Sequence, residues 1–453
     1  MNKLAIPWLG SLAAILAVTA CNQQPQVLIP VEAPPIASIE QEQSLEARKY
    51  TQRIIKSETA WVMSLQLSEP QVQPSSSAYG AIIMHDKQLF DSPAGESPVV
   101  TAQWKVEPYF ANLAITGLLE ANPKNKSVRT TTKRWLQWYF NRMSTSEPSD
   151  PRCADPNTRI YVSVCDDIPG TVSWHFVNPT SYALTKVMYM DSADSYAATF
   201  LTLLHKYYLA SKDKAFLVAN RAKVRMARDV MVHRTWIASD RRTIAKPSYP
   251  IDYLMDNTEV FEALIHIKAM EEELGLLNDT QASATNEALL MQYRINDLQL
   301  GLEELFHTPS GLYFNSGDSF KLYNNPNTPN RDQYLPKIDT FYPDATAQLF
   351  PIWTGLHEPN STRAKSLWQQ FNANWDRPDN DPLAANHQWT KGQIPDAFPW
   401  VVMTYTASVM KDEARASKHL EWLYSTFSTD HQFPWYKAEA GWALRAAAQL
   451  HHK

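Results

Sequence analysis

Residues 191–210 (DSADSYAATFLTLLHKYYLA) carry apolar or small side chains on nearly every face of the helix that their 3.6-residue periodicity predicts. Residues 438–450 (AEAGWALRAAAQL) have the same texture. A helix without a polar face has to be enclosed by other helices. In contrast, residues 411–427 (KDEARASKHLEWLYSTF) are clearly two-sided, as a helix at the protein surface should be. The chain therefore contains two kinds of helix, one enclosed and one at the surface.

The two kinds alternate along the sequence as pairs. In each pair, a helix that opens beside Pro or Asp and is rich in Ala, Leu and aromatic residues is followed by a more charged helix. The five predicted pairs are Glu107–Glu120 with Ser127–Met143, Asp191–Ala210 with Asp213–Val232, Asp256–Leu274 with Asp279–Phe306, Pro343–Leu356 with Asn360–Trp375, and Pro395–Lys411 with Glu413–Phe427. The last helix, Trp435–His451, has no successor, so we expect it to pair with the first, Ser38–Leu67. Convincing alternating strands are scarce, and the sequence predicts an all-α protein with six inner and six outer helices.

Six helical hairpins closed by the first helix resemble the (α/α)6 toroid of the six-hairpin glycosidase superfamily. The resemblance covers residues 38–453 and is one of architecture and local texture, without a diagnostic motif. An open α-solenoid is the alternative, but solenoids usually show a more regular repeat length. Here long loops interrupt the hairpins at residues 144–190, 233–255, 307–342 and 376–394. Loops of that length inside a compact domain are usually functional.

The N-terminus reads as a processing segment. Residues 1–20 combine Lys3 with a short apolar run from Leu4 to Val18, which is too short for a comfortable transmembrane helix. The small residues before Cys21 resemble the lipobox of bacterial lipoproteins, and this resemblance implies cleavage before Cys21, lipidation of its thiol and anchoring to a membrane. Asn22 favours the outer membrane by the same resemblance. Residues 21–37 are rich in Pro and Gln and predict a semi-rigid tether.

Composition narrows the classes of function. The chain of 453 residues has a formal net charge of −5 with both signs mixed throughout, which gives no sign of a nucleic-acid surface. Glycine is scarce at 12 residues, and phosphate-binding loops, nucleophile elbows and zinc-protease motifs are missing from the sequence. Cys153 and Cys165 remain after lipidation of Cys21, and in an oxidising compartment they predict a disulfide. We expect neither a metal nor a cofactor.

Acidic residues stand at nearly every predicted inner-helix start, where the resemblance places a substrate groove. They are Glu107, Asp191, Asp194, Asp256, Glu259, Asp344, Asp396 and Glu439. Each could simply cap its helix, because Asp and Glu are favoured there. Asp191 and Asp194 share one helix start, as do Asp256 and Glu259, so one residue of each pair can cap the helix while the other faces the groove. We expect Asp194, Asp256, Asp344 and Asp396 to supply the catalytic acid and base, with Asp194 first.

Aromatic residues make up 11% of the chain, including 15 Trp, and suit sugar rings as well as a large core. With Glu259, the predicted substrate-binding residues are Trp104, Tyr109, Trp174, Tyr196, Tyr342, Trp389, Trp400 and Trp435. His175 and His387 lie on the same predicted loops, where a lone histidine is more often structural. Lys391 and Arg241 could bind an acidic sugar, although a solvated surface charge is the simpler interpretation.

The leading hypothesis is an envelope glycoside hydrolase that acts on a poly- or oligosaccharide. The resemblance implies inversion, for which two carboxyl groups stand about 6.5–9.5 Å apart. A polysaccharide lyase on the same fold is one alternative and would need a Tyr or His base and a cation for the uronate. A non-catalytic lipoprotein that binds glycan or a protein partner is the other.

Overall fold

The computed structural model describes residues 36–150, 153, 163–277 and 281–451, with backbone only for residues 36–48 and 281–285. The predicted signal peptide (1–20), Cys21 and the tether up to residue 35 lie outside the described residues. The chain divides into two units between Ser44 and Leu45, and of the first unit only the helical residues 36–44 are described.

Fourteen α-helices are found in the described residues. In chain order they are α1 (Ile36–Ser64), α2 (Pro108–Ala121), α3 (Lys126–Arg142), α4 (Ala193–Ser211), α5 (Lys214–Ala219), α6 (Arg221–Asp229), α7 (Leu254–Leu274), α8 (Gln281–Glu304), α9 (Gly317–Asn324), α10 (Phe350–Trp353), α11 (Thr362–Trp375), α12 (Val402–Val409), α13 (Glu413–Phe427) and α14 (Lys437–His451).

Six of these helices form a closed inner ring. In order around the ring they are α2, α4, α7, α10, α12 and α14, each packed against the next, and α14 packs in turn against α2. The backbones of α2 and α14 approach very closely where Gly117 meets Gly441, since a Cβ on Gly117 would lie 2.0 Å from the Gly441 carbonyl oxygen. Only glycine permits that approach. The ring confirms the predicted all-α (α/α)6 toroid.

The outer layer is built from the two-sided helices. They are α3, α6, α8, α11, α13 and the part of α1 after Ser44. In α13, Ala416, His419, Leu420 and Leu423 are buried while the opposite face is exposed. This one-sided burial is what the 3.6-residue pattern of the sequence predicts.

Two predicted inner helices are shorter than expected. The helix predicted at Pro343–Leu356 is a turn of π-helix at Phe341–Ala345 followed by the short α10. The helix predicted at Pro395–Lys411 begins only at Val402, since Trp400 has a left-handed backbone with φ of 49°. An L-residue in that conformation interrupts a right-handed helix.

Seven short strands are found in the described parts of the long loops. They are β1 (Trp104–Val106), β2 (His175–Val177), β3 (Leu184–Lys186), β4 (Trp236–Ile237), β5 (Arg242–Thr243), β6 (Phe306–His307) and β7 (Leu312–Tyr313). The first three form an antiparallel sheet, and β4–β5 and β6–β7 are antiparallel hairpins. Cys153 and Cys165 are joined by a disulfide within the loop between α3 and α4. In the part of the chain that is described, the length and hydropathy required to cross a bilayer are met by none of the helices.

Candidate functional site

A cavity of about 900 Å³ opens where the ring helices begin. All six ring helices contribute to its wall, through Tyr109, Phe110 and Leu113 of α2, Ser195 and Tyr196 of α4, Met255 and Asp256 of α7, Phe350 of α10, Val402 of α12, and Ala438, Glu439 and Trp442 of α14. Segments that precede these helices supply the remaining lining residues. A cleft of this size accommodates a ligand of several hundred cubic ångströms.

Five carboxyl groups line the cavity, namely those of Glu96, Asp191, Asp256, Asp396 and Glu439. The order of helices around the ring places α7 three positions from α14 and α4 three positions from α12. Asp256 therefore stands on the side of the ring opposite Glu439. Asp191, which precedes α4, stands opposite Asp396, which precedes α12.

Asp256 is held by a hydrogen bond in which Ser192 Oγ donates to Oδ2 at 2.8 Å. Ser192 Oγ also lies 2.5 Å from Asp194 Oδ1, so one hydroxyl stands between two carboxyl groups. Burial raises the pKa of Asp256 well above its usual range, and the nearby charge of Asp194 raises it further. Burial therefore favours the protonated form of Asp256.

Asp194, the first choice among the predicted catalytic residues, does not line the cavity. It is fully buried, its Oδ2 accepts from Thr243 Oγ1 at 2.6 Å, and its Oδ1 accepts from the Ser195 N–H at 2.8 Å. A fully engaged carboxyl in the wall cannot reach a substrate directly. The neighbouring acid Asp191, which precedes the first residue of α4, lines the cavity instead.

Asp191 lies where α4 begins and accepts a hydrogen bond from Tyr196 Oη at 3.1 Å. Trp174 Nε1 donates in turn to Tyr196 Oη at 2.7 Å. Burial raises the pKa of Asp191, and the charges of Lys105 and Lys246 partly oppose that rise. The result is a carboxyl held at the cavity wall by a chain of aromatic side chains.

Glu439 and Asp396 occupy the other side of the cavity. The Val401 N–H donates to Glu439 Oε2 at 2.8 Å, and burial raises the pKa of Glu439 to about 7. Asp396 is half-buried, and its Oδ1 accepts from the Phe398 N–H at 2.9 Å. In the described structure, that backbone bond is the one hydrogen bond made by the Asp396 side chain, so Oδ2 remains available to a ligand.

Asp344 does not line the cavity, contrary to the sequence prediction. Its Oδ1 lies 3.4 Å from the Lys337 N–H, and it also bonds the side chain of Asn315. The turn of π-helix at residues 341–345 is responsible, since it starts from an extended Tyr342 and turns Tyr342 rather than Asp344 towards the cavity.

Aromatic side chains cover much of the remaining wall. They are Tyr109, Phe110, Tyr189, Tyr196, Tyr249, Tyr253, Tyr342, Phe350, Phe398, Trp400, Tyr436 and Trp442. Of the predicted aromatic contacts, Tyr109, Tyr196, Tyr342 and Trp400 are among them. The ring of Tyr342 is 53% exposed and packs 5.0 Å from that of Trp400, which leaves a flat face for a sugar ring.

Four predicted tryptophans and Glu259 lie away from the cavity surface. Trp389 and Trp435 are fully buried, donating to Asn372 and Glu58 respectively. Trp174 donates to the lining residue Tyr196, Trp104 donates to the Asp86 carbonyl oxygen, and Glu259 accepts from the lining residue Tyr109 at 2.7 Å. Large aromatic residues in a loop pack inward as readily as outward, and sequence position does not separate the two cases.

The histidines and surface cations considered from the sequence also lie outside the cavity. His175 is buried with Nδ1 2.9 Å from the Ser173 carbonyl oxygen, and His387 stacks on Trp375. Lys391 is paired with Asp379, and Arg241 with Glu304. These contacts fit structural or surface roles.

Several lining residues were missed by sequence reasoning. Tyr249 and Tyr253 come from the SYPIDY stretch of a predicted long loop, and Lys246 lies just before them. Glu96 lies in the polar connection before β1. The sequence feature that could have identified them is the density of tyrosine in a loop beside the start of an inner helix. Among the described residues, none of the acidic, histidine and cysteine clusters has a composition suited to a metal ion.

Comparison with known proteins gives no matching family model and no curated relative. Among solved structures, a reducing-end-xylose releasing exo-oligoxylanase variant complexed with xylobiose covers 87% of this chain and 92% of its own, with a TM-score of 0.49 and 10% identity. A variant of Rex8A from Paenibacillus barcinonensis complexed with an arabinofuranosyl-xylotetraose covers 77% and 82%, with a TM-score of 0.45 and 11% identity. A rhamnosidase from Klebsiella oxytoca with rhamnose bound covers 74% and 56%, with a TM-score of 0.40 and 11% identity.

These neighbours are glycoside hydrolases of the six-hairpin fold. At this level of similarity they say nothing about the substrate of the present chain. The closed ring of six helices establishes its fold independently, and the carboxyl groups at the helix starts are its own.

Proposed function

We propose that this protein is a glycoside hydrolase that cleaves a poly- or oligosaccharide with inversion. The observation that carries the proposal is the set of carboxyl groups brought from separate helix starts to one aromatic-lined cavity. Hydrolysis of a glycosidic bond needs one carboxylic acid to protonate the leaving oxygen and one carboxylate to activate water. Aromatic faces bind the sugar rings on either side.

We assign the acid to Asp256. Burial raises its pKa and so favours the protonated form that a general acid needs. Ser192 fixes the orientation of Oδ2, and in the described structure Ser192 is the one hydrogen-bond partner of this carboxyl, so Oδ1 can face the ligand.

We assign the base to Asp396. It is half-buried and open to water, and its backbone hydrogen bond to Phe398 holds it in place. The hydroxyl of Tyr342 is close enough to both Asp256 and Asp396 for each charge to raise its pKa, although burial is the larger cause. Both carboxyl groups line the same cavity as Tyr342.

The reaction then follows from these two roles. Asp256 gives its proton to the glycosidic oxygen as the bond from the anomeric carbon to that oxygen breaks. A water molecule attacks the anomeric carbon from the opposite face and gives its proton to Asp396. Asp191 and Glu439 are placed to bind sugar hydroxyls.

The lining disfavours a lyase. A lyase acting on a uronate needs a cation for the sugar carboxylate, and Lys246 is the one cationic side chain among the described lining residues. Its Nζ donates to the Met190 carbonyl oxygen at 2.6 Å and lies 3.3 Å from Asp166 Oδ2. A lysine so engaged is poorly placed to bind a uronate as well.

The test is turnover by Asp256→Asn and Asp396→Asn variants on a panel of polysaccharides, followed as release of reducing ends. Each change should lower kcat by at least about 100-fold, because each removes a proton-transfer group. Asp344→Asn is the matched control, an acid at a ring-helix start outside the cavity, and should retain turnover.

Proton NMR of the first products reports the anomer and hence inversion or retention. Undiminished turnover in both cavity variants would refute the assignment. Glycan binding without turnover in the wild-type protein would favour a binding lipoprotein, and an unsaturated product end would favour a lyase.

We also propose that the domain is held in the cell envelope by lipid on Cys21, at the outer membrane. The small residues before Cys21 and Asn22 after it support this location. Labelled palmitate should be incorporated into the wild-type chain and not into Cys21→Ser. Equal labelling of both would exclude lipidation at this cysteine.

A further inference from the structure

The outer helix α3 carries a basic groove that lies apart from the cavity of the ring. Two adjoining depressions of about 430 and 360 Å³ run along this helix and share Thr130 and Lys133. Neither depression has a lining residue in common with the cavity. We call the two depressions together the α3 groove. Its cationic side chains are Lys126, Arg129, Lys133, Arg134 and Arg142.

The α3 groove is positively charged, although the whole chain has a formal net charge of −5. Among the described residues that line the groove, Asp213 is the one carboxylate beside the five cations. Lys133 Nζ lies 2.6 Å from Asp213 Oδ2, so these two charges compensate each other. The other four cations form no ion pair within the described part of the chain. The groove therefore attracts anions.

Two arginines of the groove keep hydrogen-bond donors for a ligand. The guanidinium carbon of Arg134 lies 5.7 Å from the centre of the Tyr79 ring, and no other described residue holds this side chain. Arg142 Nε is buried and has no hydrogen-bond partner among the described residues. A buried donor without an acceptor costs free energy, and an anionic ligand supplies the acceptor. Guanidinium groups bind carboxylates and other oxyanions through paired N–H donors.

The wall that faces α3 across the groove is formed by the loop at residues 74–79. Trp138 Nε1 donates to the Ser77 carbonyl oxygen at 3.1 Å and ties the loop to the helix. Gly80 follows with φ of 93°, and a Cβ there would lie 2.8 Å from the Arg134 carbonyl oxygen. The site is therefore concave and built by tertiary contacts. A concave site fits a chain-like ligand better than the flat surface of a bilayer.

The uncharged side chains of the groove suit sugar residues. Hydroxyl and amide side chains stand between the cations, and they are Ser76, Ser77, Thr130, Gln137 and Asn141. Gln137 Nε2 donates to Asn141 Oδ1 at 3.0 Å, so the Asn141 amide nitrogen and the Gln137 oxygen can bind sugar hydroxyls. The half-buried ring of Tyr79 adds an aromatic surface. Cations, amides, hydroxyls and an aromatic ring in one groove together favour an anionic glycan.

We propose that the α3 groove binds an acidic polysaccharide, that is, a chain of sugar residues that carry carboxylate or sulfate groups. Arg134 and Arg142 bind the anionic groups, and the amide and hydroxyl side chains bind the sugar hydroxyls. The groove is a second glycan site, separate from the cavity. The proposal therefore does not depend on the assignment of the catalytic acid and base.

The test measures binding of three oligosaccharides to the full chain in detergent by titration calorimetry at neutral pH. They are a galacturonate hexamer, its fully methyl-esterified counterpart and a heparin hexasaccharide. At least one of the two anionic chains should bind at least about tenfold more tightly than the uncharged ester, and the two together distinguish carboxylate from sulfate. Higher salt should weaken binding of the anionic chain, because the cations of the groove are open to solvent.

The double variant Arg134→Gln/Arg142→Gln should weaken binding of the anionic chain at least about tenfold, which corresponds to about 1.4 kcal/mol. Lys126→Gln/Arg134→Gln leaves the partly buried Arg142 intact and should weaken binding in the same direction. Lys365→Gln removes an exposed cation from the outer helix α11 and is the control, for which binding should not change.

Three outcomes would overturn the proposal. The first is that neither anionic chain binds more tightly than the uncharged ester. The second is that binding survives both double variants, or falls equally in Lys365→Gln, which would mean that the charge of the whole surface is responsible. The third is that bicelles containing phosphatidylglycerol bind through the groove while neither glycan does, which would make the groove a contact with a membrane surface.

Discussion

Acidic side chains are buried at both ends of the helix ring, but their pKa values are shifted in opposite directions. Deep in the ring, Glu120 lies 2.7 Å from Lys206 Nζ and 2.9 Å from Arg445 Nε, and Arg445 also donates to Tyr405 Oη at 3.0 Å. Burial raises the pKa of Glu120, but the two cations outweigh it and lower the pKa to about 2.

At the open end, Glu439 is buried and Asp256 is half-buried, and burial raises the pKa of both. In the described structure neither of them has an ion pair with a cation like those of Glu120. The ring helices α2, α4, α12 and α14 thus contribute to both places. Glu120, Lys206 and Arg445, which we call the inner cluster, form ion pairs that stabilise the ring. The carboxyl groups that line the cavity are instead available to a ligand. Each of the following predictions tests that contrast.

The largest effect on stability is expected for Arg445→Met. The change leaves Glu120 buried without its main partner, and breaking a buried pair in this way costs about 3–5 kcal/mol. Urea denaturation of the two proteins measures the difference. Lys268→Met, which removes an exposed pair with Glu272, is the matched control and should cost less than about 1 kcal/mol. A loss below about 1 kcal/mol for Arg445→Met would mean that the inner cluster does not stabilise the ring.

The pH dependence of stability should have opposite signs at the two ends. The pKa of Glu439 is about 7 in the folded chain against an ordinary value of 4.5, so the folded state holds the proton more tightly. Its contribution is complete below pH 4.5 and is lost as the pH rises to 7, by an amount of the order of 3 kcal/mol. Glu120 behaves in the reverse way, since its contribution is present above pH 4.5 and lost as the pH falls towards 2.

Urea denaturation from pH 2 to pH 8 checks both parts of this prediction. Glu439→Gln should flatten the decline between pH 4.5 and 7, while Glu120→Gln should leave that decline in place. A stability that rises through this interval in the wild-type protein, and rises at the same rate in both variants, would contradict the assignment of charge states.

A smaller effect is expected for Asp194→Asn, which acts on catalysis through Asp256. Its charge raises the pKa of Asp256, so the variant should lower that pKa and move the alkaline limb of the kcat profile to lower pH. Asp344→Asn should leave the profile in place. An unmoved limb in an active Asp194→Asn variant would show that Asp194 is purely structural.

The sequence alone determined most of the helices and their order, although not the shortened helices predicted at residues 343–356 and 395–411. Periodicity separated enclosed segments such as α4 and α14 from two-sided segments such as α13. It also placed acidic residues at the starts of the inner helices. Proximity in sequence also brought Cys153 and Cys165 together as disulfide partners. These features are local, since they depend on residues within one or two turns.

Only the tertiary structure decided which carboxyl groups share the cavity. Asp191 precedes the first residue of α4, so the path of the chain into the helix decides that Asp191, and not Asp194, lies at the surface of the site. The π-helical turn at residues 341–345 likewise presents Tyr342 and withdraws Asp344. Helix rotation and loop path are set by packing against the rest of the ring, and for that reason no local pattern could have given them.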